Sequence, residues 1–123
     1  MESIHVCARL AIAPGRVEEF KQLISAMAKK ARELEAGQTT VYEFYLPNGL
    51  QPSACLVHEV FVDAKAFRQH IENFQADVMQ ATDLFRVERS DIWGAVPADL
   101  IESMQDEFGS MPLTWYGNRC ASM

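Results

Sequence analysis

The side chains best suited to acid–base chemistry, Glu59 and His70, lie on either side of a predicted strand-to-helix junction. The stretch before the junction is rich in valine and phenylalanine, which favour strands, and Asp63 is a good helix N-cap. Good helix formers follow Asp63, and apolar residues then recur at helical spacing around His70. The sequence therefore predicts a carboxylate and an imidazole on two rigid elements near one junction, where a small-molecule site is expected.

These two groups predict general acid–base catalysis, with His70 as the expected base because an imidazole titrates near neutral pH. Arg9 and Trp93 carry hydrogen-bond donors for substrate oxygens, provided that they face the same cavity. Simpler interpretations stay open: His70 as a half-exposed helix residue, and Glu59 as the salt-bridge partner of Arg9 or another cation. The aromatic side chains expected to stack on a substrate ring are Tyr42, Phe44, Phe74 and Trp93.

Metal and cofactor sites are not predicted. The three histidines and Glu59 could supply metal ligands, but no HxH, HxxxH or CxxC spacing groups them. The chain also has no glycine-rich phosphate loop, no dinucleotide fingerprint and no G-x-S-x-G nucleophile motif. We therefore expect a site without metal or cofactor, whose chemistry depends on the protein's own side chains.

The composition bounds the classes of function. With 123 residues the chain suffices for a single domain over residues 1–123, which we divide into a core at 4–96 and a C-terminal extension at 97–123. The net charge of −6 argues against binding to nucleic acid or to an anionic membrane, because both require a basic face. The N-terminus has no signal-peptide pattern, and the three cysteines are widely spaced and odd in number, which predicts free thiols in the cytoplasm.

The hydrophobic pattern predicts a mixture of strands and helices. Period-2 alternation, helical stripes and turn signals divide the chain into segments. We expect strands at residues 4–12, 39–46, 54–62, 85–96 and 112–117, and helices at 17–36, 63–74, 76–84 and 98–108, with a break in the second helix near residue 75. The order β-α-β-β-α-β, followed by a C-terminal helix, is that of a ferredoxin-like α+β fold.

The predicted sheet has one face under its helices and one bare face. The bulky side chains expected on the bare face are Tyr42, Phe44 and Phe61. An apolar face of this kind is costly in water, so a second copy of the chain should cover it, which predicts a homodimer. Unbroken alternation in the strand at 85–96 would place Phe85, Val87 and Trp93 together on one face.

Four stretches, taken in order, resemble the antibiotic biosynthesis monooxygenase superfamily. Residues 13–20 are similar to its Pro-Gly-x-x-x-x-Phe start of the first helix, and residues 35–37 (Glu-Ala-Gly) stand where the family usually has Glu-Pro-Gly. Residues 42–45 (Tyr-Glu-Phe-Tyr) resemble its second strand, and residues 59–70 resemble its Glu-x-aromatic strand followed by Ala-(Phe or Leu)-x-x-His. The segment 93–117 resembles the quinol monooxygenase-like subgroup.

The resemblance implies a dimeric α+β barrel and, as activity, cofactor-independent monooxygenation of a quinol or polycyclic phenol. Such a substrate must lose a proton to become the electron donor to O₂, so the site needs a base, oxyanion donors and a dry apolar pocket. The haem-degrading branch is not expected, because Ala8 and His70 stand where that branch has asparagine and tryptophan, and residues 74–80 contain no histidine. A non-catalytic binding module and an acid–base isomerase stay open as alternatives on the same fold.

Overall fold

The computed structural model describes residues 3–49 and 52–123 and contains five β-strands and three α-helices. The strands are β1 (Ile4–Ile12), β2 (Thr39–Tyr45), β3 (Ala54–Phe61), β4 (Phe85–Gly94) and β5 (Leu113–Tyr116). The helices are α1 (Val17–Leu34), α2 (Ala64–Gln80) and α3 (Ala98–Phe108). None of these helices is both long and apolar enough to cross a membrane.

All five strands form one sheet in the order β2-β3-β1-β4-β5. Neighbours among β1 to β4 pair antiparallel, and β5 joins the sheet parallel to β4 after a crossover through α3. The first six elements therefore have the predicted ferredoxin-like β-α-β-β-α-β order, and α3 and β5 form a C-terminal extension that adds a strand. The α+β fold class is confirmed.

One face of the sheet packs against all three helices and holds the hydrophobic core. Alternate residues of the central strand β1, from Ile4 to Ile12, are buried, and they share core clusters with Phe20 of α1, Phe67 of α2 and Leu100 of α3. Burying each such side chain contributes about 1.5–3 kcal/mol, which holds the helices on this face. This is the covered face, and the opposite one, which carries the other residues of β1 (His5, Cys7, Arg9 and Ala11), is the open face.

The bulky strand residues expected on the bare face lie on the covered face, so this expectation is wrong. Tyr42 and Phe44 pack against core residues of β1 and β3, and Phe61 is fully buried. A bulge between Thr39 and Val41 changes the phase of β2 relative to unbroken alternation. The large apolar side chains that the open face does expose are Tyr45, Leu56, Trp93 and Tyr116.

A second bulge, in β4, reverses the alternation that the sequence suggested. One residue of β1 pairs with Val87 and the preceding one pairs with Arg89, so Glu88 is the extra residue. Side chains that follow an extra residue move to the opposite face of the sheet. Trp93 therefore lies on the open face, away from the buried Phe85 and from Val87, which corrects the prediction that the three share a face.

Helix α2 runs unbroken from Ala64 to Gln80, so the expected break near residue 75 is absent. Its start was predicted correctly, because the Asp63 side chain accepts a 2.8 Å hydrogen bond from the Ala66 amide. The helix continues because its apolar stripe continues: Phe74 is buried, and Val78 packs against the core one turn later. A single long helix therefore spans the covered face beside β2 and β3.

Candidate active site

A cavity of about 220 Å³ lies between the covered face and the helices. Its apolar lining includes Val6, Ala8, Leu10, Phe44 and Val57 from the sheet, and Phe20, Met27, Phe67, Phe74 and Val78 from the helices. Its polar lining consists of Tyr42, Glu59, His70, Gln75 and Ser90. All the residues that the sequence predicted for the site line this cavity, except Arg9 and Trp93.

At one wall of the cavity, His70 is held between two carboxylates. Its Nδ1 lies 2.8 Å from Oε1 of Glu35, and its Nε2 lies 2.9 Å from Oε1 of Glu59. Only 8% of the His70 side chain and 14% of the Glu59 side chain are exposed, and Glu35 is fully buried. Because each ring nitrogen faces a carboxylate oxygen, the arrangement favours the doubly protonated imidazolium. We refer to these three residues as the Glu–His–Glu chain.

The proton on His70 is held more tightly than on a free imidazole. Burial lowers the pKa of His70, but its contacts with Glu35 and Glu59 outweigh burial and raise the pKa to about 9. Burial on its own raises the pKa of Glu35. Hydrogen bonds from His70, Thr39 and Asn73 more than reverse this effect and leave the pKa lowered. At neutral pH the Glu35–His70 pair is therefore a carboxylate and an imidazolium.

Glu35 lies behind His70, outside the cavity lining, and it was not among the site residues predicted from the sequence. Besides the contact with His70, its Oε1 accepts a 2.6 Å hydrogen bond from the Thr39 hydroxyl. Its Oε2 accepts a 2.9 Å hydrogen bond from the Asn73 amide. With three donors around it, this carboxylate is well placed to orient and charge the imidazole. The only signal in the sequence was its place in the Glu-Ala-Gly stretch that resembles the family.

The local sequence explains how Glu35 reaches this position. It is the C-cap residue of α1, and its amide donates to the Ala31 carbonyl. Gly37 adopts a φ of +79°, which favours glycine, and turns the chain so that Thr39 at the start of β2 returns to Glu35. A carboxylate at a helix C-terminus is unfavourable on its own, because the helix dipole is negative there. The positive charge of the His70 imidazolium offsets both the Glu35 carboxylate and the negative end of the helix dipole.

Helix α2 fixes the position of His70. Phe67 and Phe74 lie about one turn on either side of it on the same buried stripe. The Lys30 ammonium joins α1 to α2 through a 2.8 Å ion pair with Asp77, and its charge lies 5.0 Å from the centre of the Phe74 ring. The imidazole is therefore held by two packed helices and not by a loop.

Glu59 is the member of the chain that faces the cavity. It lies on β3, paired with Val6 of β1 on one side and with Tyr42 of β2 on the other. One carboxylate oxygen contacts His70, and no hydrogen bond to a described residue occupies the other. A largely apolar cavity thus ends at a carboxylate with a free oxygen, which is the arrangement that a proton acceptor for a bound substrate requires.

Arg9 and Trp93 lie on the open face, so neither can donate to a ligand in this cavity. Arg9 pairs with Glu88 at 3.1 Å and not with Glu59. Trp93 stacks on His5 with ring centroids 5.3 Å apart. Strand alternation explains the position of Arg9, and the bulge in β4 explains that of Trp93.

Aromatic rings surround the imidazole on its cavity side. The ring of Tyr42 lies 4.9 Å from that of His70, 4.9 Å from that of Phe44 and 5.6 Å from that of Phe74, measured between centroids. Burial, followed by the negative charges of Glu59 and Glu35, raises the pKa of Tyr42. Tyr42 therefore stays a neutral phenol, which can donate a hydrogen bond but does not act as a base.

The histidines do not converge on a metal site. His5 and His58 lie on the open face, while His70 lies under the covered face. Within residues 3–49 and 52–123, no group of three His, Cys, Asp or Glu side chains is arranged to hold a metal ion.

The C-terminal extension closes one wall of its own chain's cavity. The side chains that it contributes to the lining are Met104, Phe108, Met111 and Leu113. It is anchored to the sheet beside β4, where the Ser90 amide donates a 2.9 Å hydrogen bond to the Pro112 carbonyl. The sequence predicted the helix of this extension but left open whether the extension closes its own chain's pocket or reaches into that of a neighbouring copy.

Comparison with solved structures identifies proteins of the same fold. MupZ from Pseudomonas fluorescens matches with a TM-score of 0.76 over 100% of this chain and 96% of its own, at 18% identity. SnoaB, a cofactor-independent oxygenase from Streptomyces nogalater, matches with a TM-score of 0.63 over 80% of this chain and 97% of its own, at 14% identity. A protein from Bacteroides thetaiotaomicron with the provisional designation antibiotic biosynthesis monooxygenase matches with a TM-score of 0.62 over 79% and 90%, at 21% identity.

No sequence-family model matches the chain, and no curated protein sequence matches it. Identities of 14–21% show a shared fold and do not by themselves show a shared reaction. The match to MupZ includes the C-terminal extension, because it covers the whole chain. The chain shares its fold with these three proteins, and one of them carries the name of the superfamily that the sequence motifs resemble.

Proposed function

We propose that the protein is a cofactor-independent monooxygenase that acts on a quinol or polycyclic phenol in the cavity under the covered face. The observation that carries the proposal is the Glu–His–Glu chain at the wall of an otherwise largely apolar cavity. The shared fold with SnoaB, a cofactor-independent oxygenase, supports it.

In this proposal the base is Glu59 and not His70. Both ring nitrogens of His70 face carboxylates, so neither has a free lone pair for a substrate proton. The free oxygen of Glu59 accepts the proton of the substrate hydroxyl. The neighbouring imidazolium then stabilises the substrate anion, and the apolar walls keep water away from it.

The substrate anion is the reductant and O₂ is the oxidant. An electron passes from the anion to O₂, a bond forms between a ring carbon and oxygen, and the O–O bond then breaks. Where the reacting ring carbon bears one hydrogen, one oxygen atom becomes its carbonyl oxygen, and the other leaves as water with that hydrogen and the hydroxyl proton. The proton that Glu59 took returns in that water, so the protein ends unchanged.

An acid–base isomerase is the second candidate, because the Glu–His–Glu chain combines a proton acceptor and a positive charge at one wall. Glu59 would take a proton from a carbon next to a carbonyl group and return it at another carbon, while His70 stabilises the enolate. That reaction consumes no O₂. A binding module without catalytic activity would neither consume O₂ nor convert its ligand.

Oxygen uptake is the experiment that tests the proposal. The metal-stripped protein should consume O₂ with members of a panel of hydroquinones and anthrone-like phenols. Glu59→Gln should lower the rate by about 10²-fold or more, because it removes the base. His70→Ala should lower it by a similar factor, because it removes the charge that stabilises the substrate anion.

Glu88→Gln is the matched control, since Glu88 is a carboxylate on the same sheet whose partner is the open-face residue Arg9. It should leave oxygen uptake unchanged. Full activity in Glu59→Gln would remove Glu59 from the mechanism. No uptake across the panel would overturn the oxygenase proposal and leave the isomerase and the binding module.

We also propose that two copies of the chain associate through their open faces. Tyr45, Leu56 and Trp93 are large apolar side chains exposed there, with Tyr45 and Leu56 at paired positions of β2 and β3. Apolar side chains left in water on a sheet face favour a second surface that covers them. Sedimentation at micromolar concentration should show a dimer, and Leu56→Lys should shift it to a monomer. A monomer in the unchanged protein would contradict this proposal.

A further inference from the structure

Ser90 is a buried hydroxyl that the proposed chemistry does not use. It lines the cavity on β4 and is only 7% exposed. Its backbone amide is engaged with Pro112, but no hydrogen bond joins its hydroxyl to a described residue, and no described buried polar atom is sealed away without a partner. The hydroxyl therefore borders the cavity space with its hydrogen-bonding capacity unused.

The strand register places Ser90 at the opposite end of the cavity floor from Glu59. Ser90 pairs with Ala8, Ala8 pairs with Val57, and Glu59 follows two residues along β3. The Cα atoms of Ser90 and Glu59 are therefore about 12 Å apart, since they are two strand spacings apart across the sheet and two residues apart along the strand. Ala8 lies on the floor between them, and its small side chain leaves the space open.

Different elements of the fold form the walls at the Glu59 end and at the Ser90 end of the cavity. The Glu59 end is bounded by β2 and α2, with Tyr42, Phe44 and Phe74. The Ser90 end is bounded by the C-terminal extension, because Ser90 pairs with Leu113 of β5. The floor of the cavity thus has a proton acceptor at one end and a neutral hydroxyl at the other, with apolar surface between.

We propose that Ser90 is a second polar anchor that binds an oxygen function of the ligand remote from the reacting hydroxyl. The ligand class is therefore a small apolar skeleton with two oxygen functions set apart at its ends. A ligand with one hydroxyl would leave the Ser90 group unpaired in a dry site, which costs free energy. This inference rests on the proposed function for the assignment of the reacting end to Glu59.

Ligand binding without turnover tests the role of Ser90. The probes are a naphthalenediol whose hydroxyls lie at opposite ends of the two rings and the naphthol that lacks one of them. Affinities are measured calorimetrically under argon for the full chain and for Ser90→Ala. Ser90→Ala should weaken the diol by about 2–10-fold, which is the value of one neutral hydrogen bond, and leave the naphthol unchanged.

Two further variants make the result specific. Ser90→Thr keeps the hydroxyl and should keep the preference for the diol, and Ser53→Ala, an exposed serine outside this cavity, should change nothing. Unfolding midpoints of all variants confirm that each one is folded. An equal loss for both ligands, no loss for either, or no binding of the diol would overturn the proposal.

The outcome is separable from that of the proposed function. Diol binding that depends on Ser90, without oxygen uptake, would support the anchor and refute the oxygenase. Oxygen uptake that depends on Glu59, with binding indifferent to Ser90, would support the oxygenase and refute the anchor.

Discussion

The two faces of the sheet each carry an ion pair, and the pairs differ in burial far more than in length. On the covered face, His70 and Glu59 lie 2.9 Å apart with 8% and 14% of their side chains exposed. On the open face, Arg9 and Glu88 lie 3.1 Å apart with 55% and 35% exposed. Exposed pairs contribute roughly 0–1 kcal/mol, whereas a charge left alone in a buried site is strongly destabilising. Burial therefore decides how much the loss of one partner costs in stability, and distance does not.

The largest effect should follow from removing the buried end of the Glu–His–Glu chain. Glu35→Ala leaves the His70 imidazolium with one carboxylate fewer and strands the donors of Thr39 and Asn73. The free energy of unfolding in urea at neutral pH should fall by about 3–5 kcal/mol. Glu88→Ala, the same change on the open face, should cost less than about 1 kcal/mol. Equal costs for the two variants would show that burial is not the deciding difference.

The next largest effect should be a pH dependence of the free energy of unfolding that arises from His70 on the covered face. The folded pKa of His70, about 9, lies above its ordinary value of 6.5, so its contribution is complete below pH 6.5 and is lost as the pH rises towards 9. At 1.36 kcal/mol per pKa unit the loss is about 3 kcal/mol. Urea unfolding measured below pH 6.5 and above pH 9 gives this loss of stability.

His70→Gln is the control for this pH dependence and should flatten the alkaline limb. The lowered pKa of Glu35 acts on the other limb: its contribution is present above the pKa of the unfolded chain and is lost as the pH falls through the folded pKa. An unchanged alkaline limb in His70→Gln would assign the effect to another group.

A pair of cysteines offers a smaller, kinetic comparison. Cys55 is buried on the covered face, and burial raises the pKa of its thiol from 9.0 to about 11, whereas Cys7 is half-buried on the open face. The raised pKa alone reduces the reactive thiolate of Cys55 by about 100-fold. In a Cys120→Ser background, a thiol reagent should modify Cys7 first in dilute protein and both equally in urea. Faster modification of Cys55 would contradict its placement.

The smallest effects are expected from the open-face residues that the sequence assigned to the site. Arg9→Gln should change stability by no more than about 0.5 kcal/mol, as for an ordinary surface substitution. Trp93→Phe keeps an apolar ring on the proposed contact face, and its effect on stability should also be small. Oxygen uptake should be unchanged in both, because neither side chain reaches the cavity. A rate reduced tenfold in either variant would show that the open face takes part in the reaction.

The parts of the structure that the sequence predicted depend on local signals. Alternation identifies the buried face of β1, and Asp63 marks the start of α2 through a contact within one helical turn. The face of Trp93 was not predictable in this way, because the bulge at Glu88 is defined by pairing with another strand. The same limit applies to every position that follows the bulge.

The candidate site was predictable only in part, for a similar reason. Glu59 and His70 are close in sequence and have side chains that suggest chemistry. Glu35 lies 35 positions before His70, in a turn where a glutamate reads as ordinary surface charge. Its importance appears only when α1 and α2 pack together, and that packing also changes the assignment of the base from His70 to Glu59.

The C-terminal extension follows every member of the Glu–His–Glu chain in sequence and occupies a continuous segment from α3 to β5. During synthesis, the proton-handling groups leave the ribosome before the wall at the Ser90 end exists. A segment of this kind can be exchanged between related proteins at a single junction after β4. Evolution or protein engineering could thereby change which molecules enter the cavity and keep the acid–base groups of the Glu–His–Glu chain unchanged.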